Sequence, residues 1–221
     1  MGVSVIPAII LCGGKGTRMG QDAPPKCLTK IGDIPIIDRT YEYLRKNTAI
    51  EKFILAVGYR SQEVKDHFTG ASDVSFSDFG EDASMLDRIR EAAKLTSGTF
   101  LVCYGDEYAD VDLGELLDIH NRSNAYITIT CHQVESNFGV VKISGERIVD
   151  FSEKPLQWVN VGYQIWSMSK LSRLFYDGQS LPSLFKAVSK IGRMAGYAHT
   201  GKRFTVNEPQ DIAKAEAILA E

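Results

Sequence analysis

Three runs of apolar residues have the length of a strand and almost no polar interruption: residues 5–12, 53–58 and 99–104. Runs of this kind read as strands buried on both faces, as in a parallel sheet. Between them the apolar positions take a helical spacing. After Pro35, Ile37, Tyr41 and Leu44 fall on one helix face; Met85, Ile89 and Ala93 do the same, as do Leu113, Leu116 and Leu117 near His120. The alternation predicts a sheet wrapped by crossover helices. From Ala125 the pattern changes. Tyr126, Thr128 and Thr130 alternate with Ile127, Ile129 and Cys131, which predicts a half-buried strand. Residues 139–143 and 159–166 read as further strands, and Ser144-Gly145-Glu146 between Ile143 and Arg147 as a hairpin turn. A last helix is predicted from Pro209, through Ile212, Ala215, Ala217 and Leu219, because proline suits a first helical turn. No internal repeat or low-complexity tract interrupts the chain. The expected architecture is a single α/β domain over residues 1–221, with a central mixed, mostly parallel sheet, helices on both faces, and a small β-rich insertion at about 130–166.

Composition narrows the function. The 221 residues carry 25 Lys plus Arg against 28 Asp plus Glu, and 44% are hydrophobic, so a sizeable core is available and disorder or a coiled coil is disfavoured. The absence of a basic excess gives no footprint for duplex nucleic acid, and small molecules are the expected partners. The first apolar run is far shorter than the roughly 20 residues of a membrane span, and no basic residue precedes it as in a signal peptide. No membrane association and a cytoplasmic location are therefore expected. Cys12, Cys27, Cys103 and Cys131 form no CxxC pair and sit in or beside apolar stretches, which reads as buried thiols.

The chemistry is concentrated in Gly13-Gly14-Lys15-Gly16-Thr17-Arg18-Met19, directly after the first strand, with Lys26 following. Glycines at this density let backbone amides approach an anion, and a guanidinium and an ammonium add charge-assisted bonds to phosphate oxygens. The segment is expected to cradle a polyphosphate. It is not GxGxxG, because Met19 stands at the third glycine, and GxxxxGK[ST] has no match. A flexible strand-to-helix turn would explain the glycines but not Arg18 and Lys26. Asp106 lies just past a buried strand, where open α/β sheets bind ligands, and a carboxylate there can hold magnesium against a triphosphate; a simple Gly-Asp turn is the other reading.

GGxGTRM followed by Pro25-Lys26 resembles the signature of the sugar-1-phosphate nucleotidylyltransferases. Tyr104-Gly105-Asp106, Glu153-Lys154-Pro155, Asn160-Val161-Gly162-Tyr163 and Val206-Asn207-Glu208-Pro209-Gln210-Asp211 follow in the family's order. Tyr104-Gly105-Asp106 with residues 109–113 is most similar to glucose-1-phosphate cytidylyltransferases. The chain length and residues 81–86 resemble the small phosphocholine and inositol-phosphate cytidylyltransferases. The resemblance implies a Rossmann-like nucleotidyltransferase fold and the joining of a nucleoside triphosphate, CTP favoured, to a phosphorylated small molecule with release of pyrophosphate. It implies Arg18, Lys26 and Asp106 as catalytic, and Leu11, Gly13, Gly14, Gly16, Thr17, Ser84, Tyr104 and Gly105 beside them on the nucleotide. It assigns Glu153, Lys154, Asn160, Gly162 and Tyr163 to the acceptor, Asp106 and Asn207 to a magnesium ion, and a homo-oligomeric state. Read from the residues alone, Glu153-Lys154 is equally a surface ion pair, Asn207 and Asp211 equally the start of the last helix, and Gly162 a bare backbone position inviting close approach of a ligand.

One segment departs from the family pattern. The Thr-Gly-Gly element that meets the base is replaced by Met85-Leu86-Asp87, then Arg88, which leaves base choice open; Ser84 serves either the base or the helix cap. Two other classes compete. Asp110-Val111-Asp112 is a DxD pattern, as in metal-dependent glycosyltransferases, although Asp112 also reads as a helix cap. A non-catalytic subunit that binds nucleotide sugar would not need Arg18, Lys26 and Asp106 together. Of the histidines, His199, before Thr200-Gly201-Lys202, is the one placed for ligand contact, while His67, His120 and His132 read as helix-face or strand residues.

Overall fold

The computed structural model describes residues 5–20, 23–96 and 98–220; the remaining positions of the expected 1–221 domain lie outside the described residues. In chain order the elements are β1 (Ile6–Leu11), β2 (Lys30–Ile31), β3 (Ile34–Pro35), α1 (Ile36–Arg45), β4 (Ile50–Val57), α2 (Ser61–His67) and β5 (Val74–Asp78). Then come α3 (Met85–Ala93), β6 (Thr99–Tyr104), β7 (Glu107–Ala109), α4 (Leu113–Arg122), β8 (Ile127–Glu135), β9 (Val140–Ser144), β10 (Arg147–Ser152) and β11 (Leu156–Ser167). The chain ends with α5 (Met168–Leu171), α6 (Leu181–Lys190), β12 (Met194–His199), β13 (Arg203–Thr205) and α7 (Gln210–Ala220).

A seven-stranded sheet in the order β12-β8-β11-β6-β1-β4-β5 is the frame. β1 pairs in parallel with β4 and β6, β4 with β5, and β8 with β12, while β11 runs antiparallel to both of its neighbours. The sheet is thus mixed and mostly parallel. Alternate residues of each strand serve opposite faces. Ile10, Leu55 and Leu101 pack with Leu44 of α1, Val64 of α2 and Leu116 of α4. Ile9, Ile54 and Val102 pack with Ile89 of α3 and Leu184 of α6. A third cluster joins Ile31, Ile36, Phe204 and Val206 to Ala215 of α7. Cys12, Cys27 and Cys103 are buried in this framework and Cys131 is half-buried.

The structure departs from the pattern reading at several points. β8 is covered on both faces where it joins the sheet: Thr128 and Thr130 are buried, and Thr128 is bonded to His120 of α4 at 2.8 Å. The alternation there separates two covered faces; on the threonine face α4 supplies a partner to Thr128, while the buried Thr130 hydroxyl has none among the described residues. Met85 is largely exposed, whereas Ile89 and Ala93 are buried. The last helix begins at Gln210, one residue after Pro209. Within residues 130–166, β8 and β11 belong to the main sheet, and only β9 and β10 stand apart as a two-stranded ribbon. Their turn is Gly145-Glu146, with Gly145 at φ +61°, the left-handed geometry such two-residue turns need.

Candidate active site

The site lies where β1 and β6 end side by side, Leu11 level with Tyr104. Gly105 donates its N–H to the Leu11 carbonyl at 3.0 Å, and a Cβ on it would stand 2.7 Å from that oxygen, so the two strand ends are locked together. After Leu11 the chain crosses to β4 (Cys12 N–H to Ala56 O, 2.9 Å) and then enters the glycine segment. Gly16 sits at φ +59° and starts a short 3-10 turn, Thr17–Met19. Gly14 faces open space, while Gly13 does not: a Cβ there would lie 2.3 Å from the guanidinium of Arg88. The glycines therefore have different causes, one for the turn, one for open approach and one for packing.

Four polar side chains from distant parts of the chain converge beside this loop. Lys26, in the 3-10 turn Lys26–Leu28, bonds its ammonium to the Asp106 carboxylate and donates to Asn207 Oδ1 at 2.8 Å. Arg18 donates to the same Asn207 oxygen at 3.2 Å. Asp106 and Asn207 are brought close because Val206 donates its N–H to the Asp106 carbonyl at 3.0 Å. Asp211 fixes the Asn207 turn by accepting the N–H groups of Asn207 and Glu208 at 2.9 and 3.0 Å. Asp211 thus organises the start of α7, as one reading of the segment expects, and Asn207 turns its amide oxygen toward Arg18 and Lys26.

Asp106 and Asn207 already share one cation, the Lys26 ammonium, so their oxygens converge on a cation-sized position. Magnesium suits such a pair, since it uses one or two protein oxygens and fills its octahedron with water and substrate phosphate. Among the described residues no group of three or more His, Cys, Asp or Glu side chains is arranged to hold a metal alone. These two residues fit a metal that arrives with a phosphate ligand.

Next to the cluster opens a cavity of about 350 Å³, walled by Leu11, Gly14, Ala83, Met85, Arg88 and Tyr104 among others. The wall residue that the sequence reading missed is Arg88. It is 5% exposed and lies across Gly13 and Gly58, donating to Val57 O at 2.7 Å and Glu81 O at 3.0 Å. A guanidinium has five N–H donors, so this one keeps donor capacity beyond those two bonds. Its signal in the sequence was the departure at residues 85–88, where a small glycine element gives way to large side chains. Lys15 reaches across the mouth to Asp82 at 2.7 Å. Ser84 is the N-cap of α3: its hydroxyl accepts from Asp87 N–H at 3.2 Å and donates to the Asp87 carboxylate at 2.6 Å, while Ala83 and Met85 on either side line the cavity.

Two acceptor assignments are corrected. A Cβ on Gly162 would stand 2.5 Å from Tyr104 Cγ, so its bare backbone accommodates the Tyr104 ring rather than a ligand. Tyr163 is fully buried, with its hydroxyl accepting the Ala109 N–H at 3.2 Å, because odd and even residues of β11 serve opposite faces. Asn160 is exposed and Tyr104 carries a hydroxyl that accepts from Gln164 Nε2 at 3.2 Å. Glu153 and Lys154 follow β10, both exposed, Lys154 at φ +42°. Glu107, 3% exposed, ties the parts together: one carboxylate oxygen accepts the Gly162 N–H at 2.9 Å and the other accepts from Arg203 Nε at 2.7 Å. β7, β11 and β13 are thereby held around the site.

The histidines and the DxD pattern are otherwise engaged. His199 is buried and bonds Asp110 at 2.9 Å, with His132 at 3.3 Å on its other nitrogen. Asp112 caps α4, accepting the Glu115 N–H at 3.0 Å. The two carboxylates are committed to separate partners and form no metal pair, and His199 serves structure.

Residues 7–197 match the model of the family described as Nucleotidyl transferase. A Bacillus subtilis protein described as "probable glucose-1-phosphate cytidylyltransferase" is 30% identical over 228 residues, covering 88% of each chain. A D-glycero-alpha-D-manno-heptose 1-phosphate guanylyltransferase of Campylobacter jejuni is 31% identical over 153 residues, 66% of this chain and 68% of that protein. Among solved structures, HddC from Yersinia pseudotuberculosis complexed with GMP-PN superposes with a TM-score of 0.74 at 20% identity, covering 97% of this chain and 100% of the other. The family match over most of the chain and the sequence relationship agree, and the chain belongs to the sugar-1-phosphate nucleotidyltransferase family.

Proposed function

We propose that the protein joins a nucleoside triphosphate, CTP by preference, to a sugar 1-phosphate or similar phosphorylated small molecule. An acceptor phosphate oxygen attacks the α-phosphorus, the bond to the bridging oxygen breaks, and pyrophosphate leaves with that oxygen. No covalent enzyme intermediate is needed. The acceptor phosphate is ionised at neutral pH, so the demand on the protein is alignment of two anions and neutralisation of developing charge rather than proton abstraction. The observation that carries the reading is the convergence of Arg18, Lys26, Asp106 and Asn207 beside the open glycine loop. In this scheme Arg18 and the loop amides hold the departing pyrophosphate and Lys26 holds the α-phosphate. Asp106 and Asn207 would hold magnesium, which when bound screens the phosphate charges.

The preference for CTP rests on Arg88 and on the Bacillus subtilis relative. The guanidinium offers only donors to the cavity, and the O2 and N3 edge of cytosine offers acceptors. Lys154 and Asn160 are assigned to the acceptor, with Glu153 as a hydroxyl partner.

The test is pyrophosphate release with magnesium, scanning CTP, UTP, dTTP, GTP and ATP against sugar, inositol and choline phosphates. Release restricted to CTP with one acceptor supports the full reading. Release with GTP or dTTP instead keeps the reaction and overturns the base assignment. Hydrolysis or transfer of a nucleotide sugar without pyrophosphate overturns the reaction.

A further inference from the structure

Behind Tyr104 and Asn160 runs a relay of buried side-chain hydrogen bonds. Trp166, fully buried on β11, donates its indole N–H to Gln164 Oε1 at 2.9 Å. Gln164, also fully buried, donates from Nε2 to Tyr104 Oη at 3.2 Å and to Asn160 Oδ1 at 3.4 Å. An irregularity in β11 makes the last contact possible. Val161 stands opposite Thr130 and Gln164 opposite Ile129, so Gly162 and Tyr163 are extra residues between consecutive positions of β8. In a regular strand, residues four apart are separated by about 13 Å. The bulge closes that gap and turns Asn160 toward Gln164. The direction of each bond is fixed from the buried end. An indole nitrogen only donates, so the Gln164 oxygen faces Trp166 and its nitrogen faces Tyr104 and Asn160. A turned amide would set two donors against each other and leave a buried one unsatisfied, which disfavours it by about tenfold to a hundredfold. Both hydrogens of the Gln164 nitrogen are then spent, and Asn160 holds its oxygen inward and its NH2 outward. Asn160 is exposed and Tyr104 lines the cavity, so both are open to a ligand.

We propose that Gln164 and Trp166 are positioning residues that set the hydrogen-bonding polarity of the acceptor subsite, holding Asn160 as a donor. The inference rests on the assignment of Asn160 to the acceptor and adds the chemistry that this residue selects. An outward NH2 is matched by the lone pairs of an uncharged oxygen, as on a hydroxyl or a carbonyl. An ammonium has hydrogens and no lone pair, so at this position it meets another donor. The acceptor that fits is a phosphorylated polyol with an oxygen against Asn160, not an amino sugar carrying its ammonium there. An asparagine free to turn would offer its oxygen to the ammonium and serve both classes. Gln164 removes that freedom, and Trp166 removes it from Gln164.

The experiment pairs side-chain amide NMR with kinetics on the full chain. In the wild type the Gln164 NH2 protons should exchange slowly with solvent and the Asn160 NH2 protons fast, a readout that needs neither a variant nor turnover. Glucose 1-phosphate should shift the Asn160 NH2 resonances. In a series of its analogues with each hydroxyl in turn replaced by an ammonium, one should bind at least about tenfold more weakly. Trp166→Phe keeps a ring beside Phe100 and removes the N–H, and Gln164→Met keeps the side-chain length and removes both of its outward bonds. In pyrophosphate release each should raise the KM for glucose 1-phosphate by about tenfold and leave the triphosphate KM unchanged, a split that general loosening of the fold does not produce. A rapidly exchanging Gln164 amide in the wild type overturns the proposal. So do Asn160 resonances that ignore glucose 1-phosphate, an ammonium series that binds throughout as well as the parent, or variants that raise both KM values alike. A slow Gln164 amide with a shifted Asn160 and no pyrophosphate release overturns the proposed reaction and leaves the polarity of the subsite standing.

Discussion

Gly58→Ala separates packing from loop chemistry through a change of sign. An added Cβ would lie 2.0 Å from Nη1 of Arg88 and 2.7 Å from its Cζ and Nη2, where about 3.5 Å is needed. Arg88 relieves the clash only by moving its guanidinium about 1.5 Å, which breaks the bonds to Val57 O and Glu81 O. A hydrogen bond to a charged group is worth about 1.5–3 kcal/mol, so the displaced state, partly re-solvated in the adjoining cavity, is destabilised by about 3 kcal/mol. For a chain of this size that lowers the melting temperature by roughly 6–12 °C. In an Arg88→Ala background the obstacle is gone. Gly58 does not occupy the left-handed region, so alanine there then removes unfolded-state entropy and stabilises by about 0.5 kcal/mol. Urea unfolding of wild type, both single variants and the double variant measures the cycle. Equal cost in both backgrounds, or no cost in the wild type, would refute the view that Arg88 is a fixed wall seated on Gly13 and Gly58. The displaced guanidinium should also weaken nucleotide binding in Gly58→Ala, measurable by calorimetry on the same sample.

Three further outcomes test other parts of the structure. Asp106→Asn removes the charge paired with Lys26 and should lower kcat by about 100-fold to 1000-fold with the circular dichroism spectrum retained; near wild-type turnover would remove Asp106 from the site. Arg203→Ala leaves the buried Glu107 carboxylate without its cation and should cost about 3 kcal/mol in urea unfolding. Arg203→Lys should recover part of that loss, and no recovery would mean that the ion pair is not what holds the corner. His120, buried between Thr128 and Ser167 at 2.8 Å from each, has its pKa lowered to about 4 by burial, with Lys170 adding to the effect. A depressed folded-state pKa means that protonation favours unfolding. Its contribution is full above pH 6.5 and is lost progressively as pH falls from about 6.5 toward 4, up to roughly 3 kcal/mol. The melting temperature should therefore drop between pH 7 and 5, and His120→Gln should flatten that slope; an unchanged slope assigns the acid sensitivity elsewhere.

The elements legible in the sequence are those whose burial is written in one continuous run. β1, β4 from Phe53 onward, and β6 lie in the interior of the sheet, are covered on both faces, and show almost no polar residue. β5 and β12, the two edge strands, do not stand out: Val74-Ser75-Phe76-Ser77-Asp78 and Met194-Ala195-Gly196-Tyr197-Ala198-His199 have too few apolar positions. α2 has the same difficulty, burying Val64 alone within the helix. At the site, the loop and Asp106 stand out in the sequence because charge and glycine have few other reasons to cluster after a buried strand. Gly162 was misread because a glycine in a strand announces close approach without naming the visitor, here the Tyr104 ring. For Arg88 the departure at residues 85–88 marks the position but not the role, which depends on the space above two glycines separated from it by 75 and 30 positions.

The polar cluster also constrains when the protein becomes competent during its own synthesis. Lys26 lies 80 residues from Asp106 and 181 from Asn207. The last strand of the main sheet ends at His199, so the whole seven-stranded frame is encoded before Asn207 is made. A chain that stopped after β12 would carry every strand of the main sheet, the loop, Arg18, Lys26 and Asp106, but not the oxygen that both cations share. The site closes only when β13 pairs with β7 and Asp211 fixes the Asn207 turn. A proteolytic cut in the few residues between β12 and β13, followed by loss of the released segment, would leave the main sheet whole and Arg18 and Lys26 without the Asn207 oxygen to which both donate.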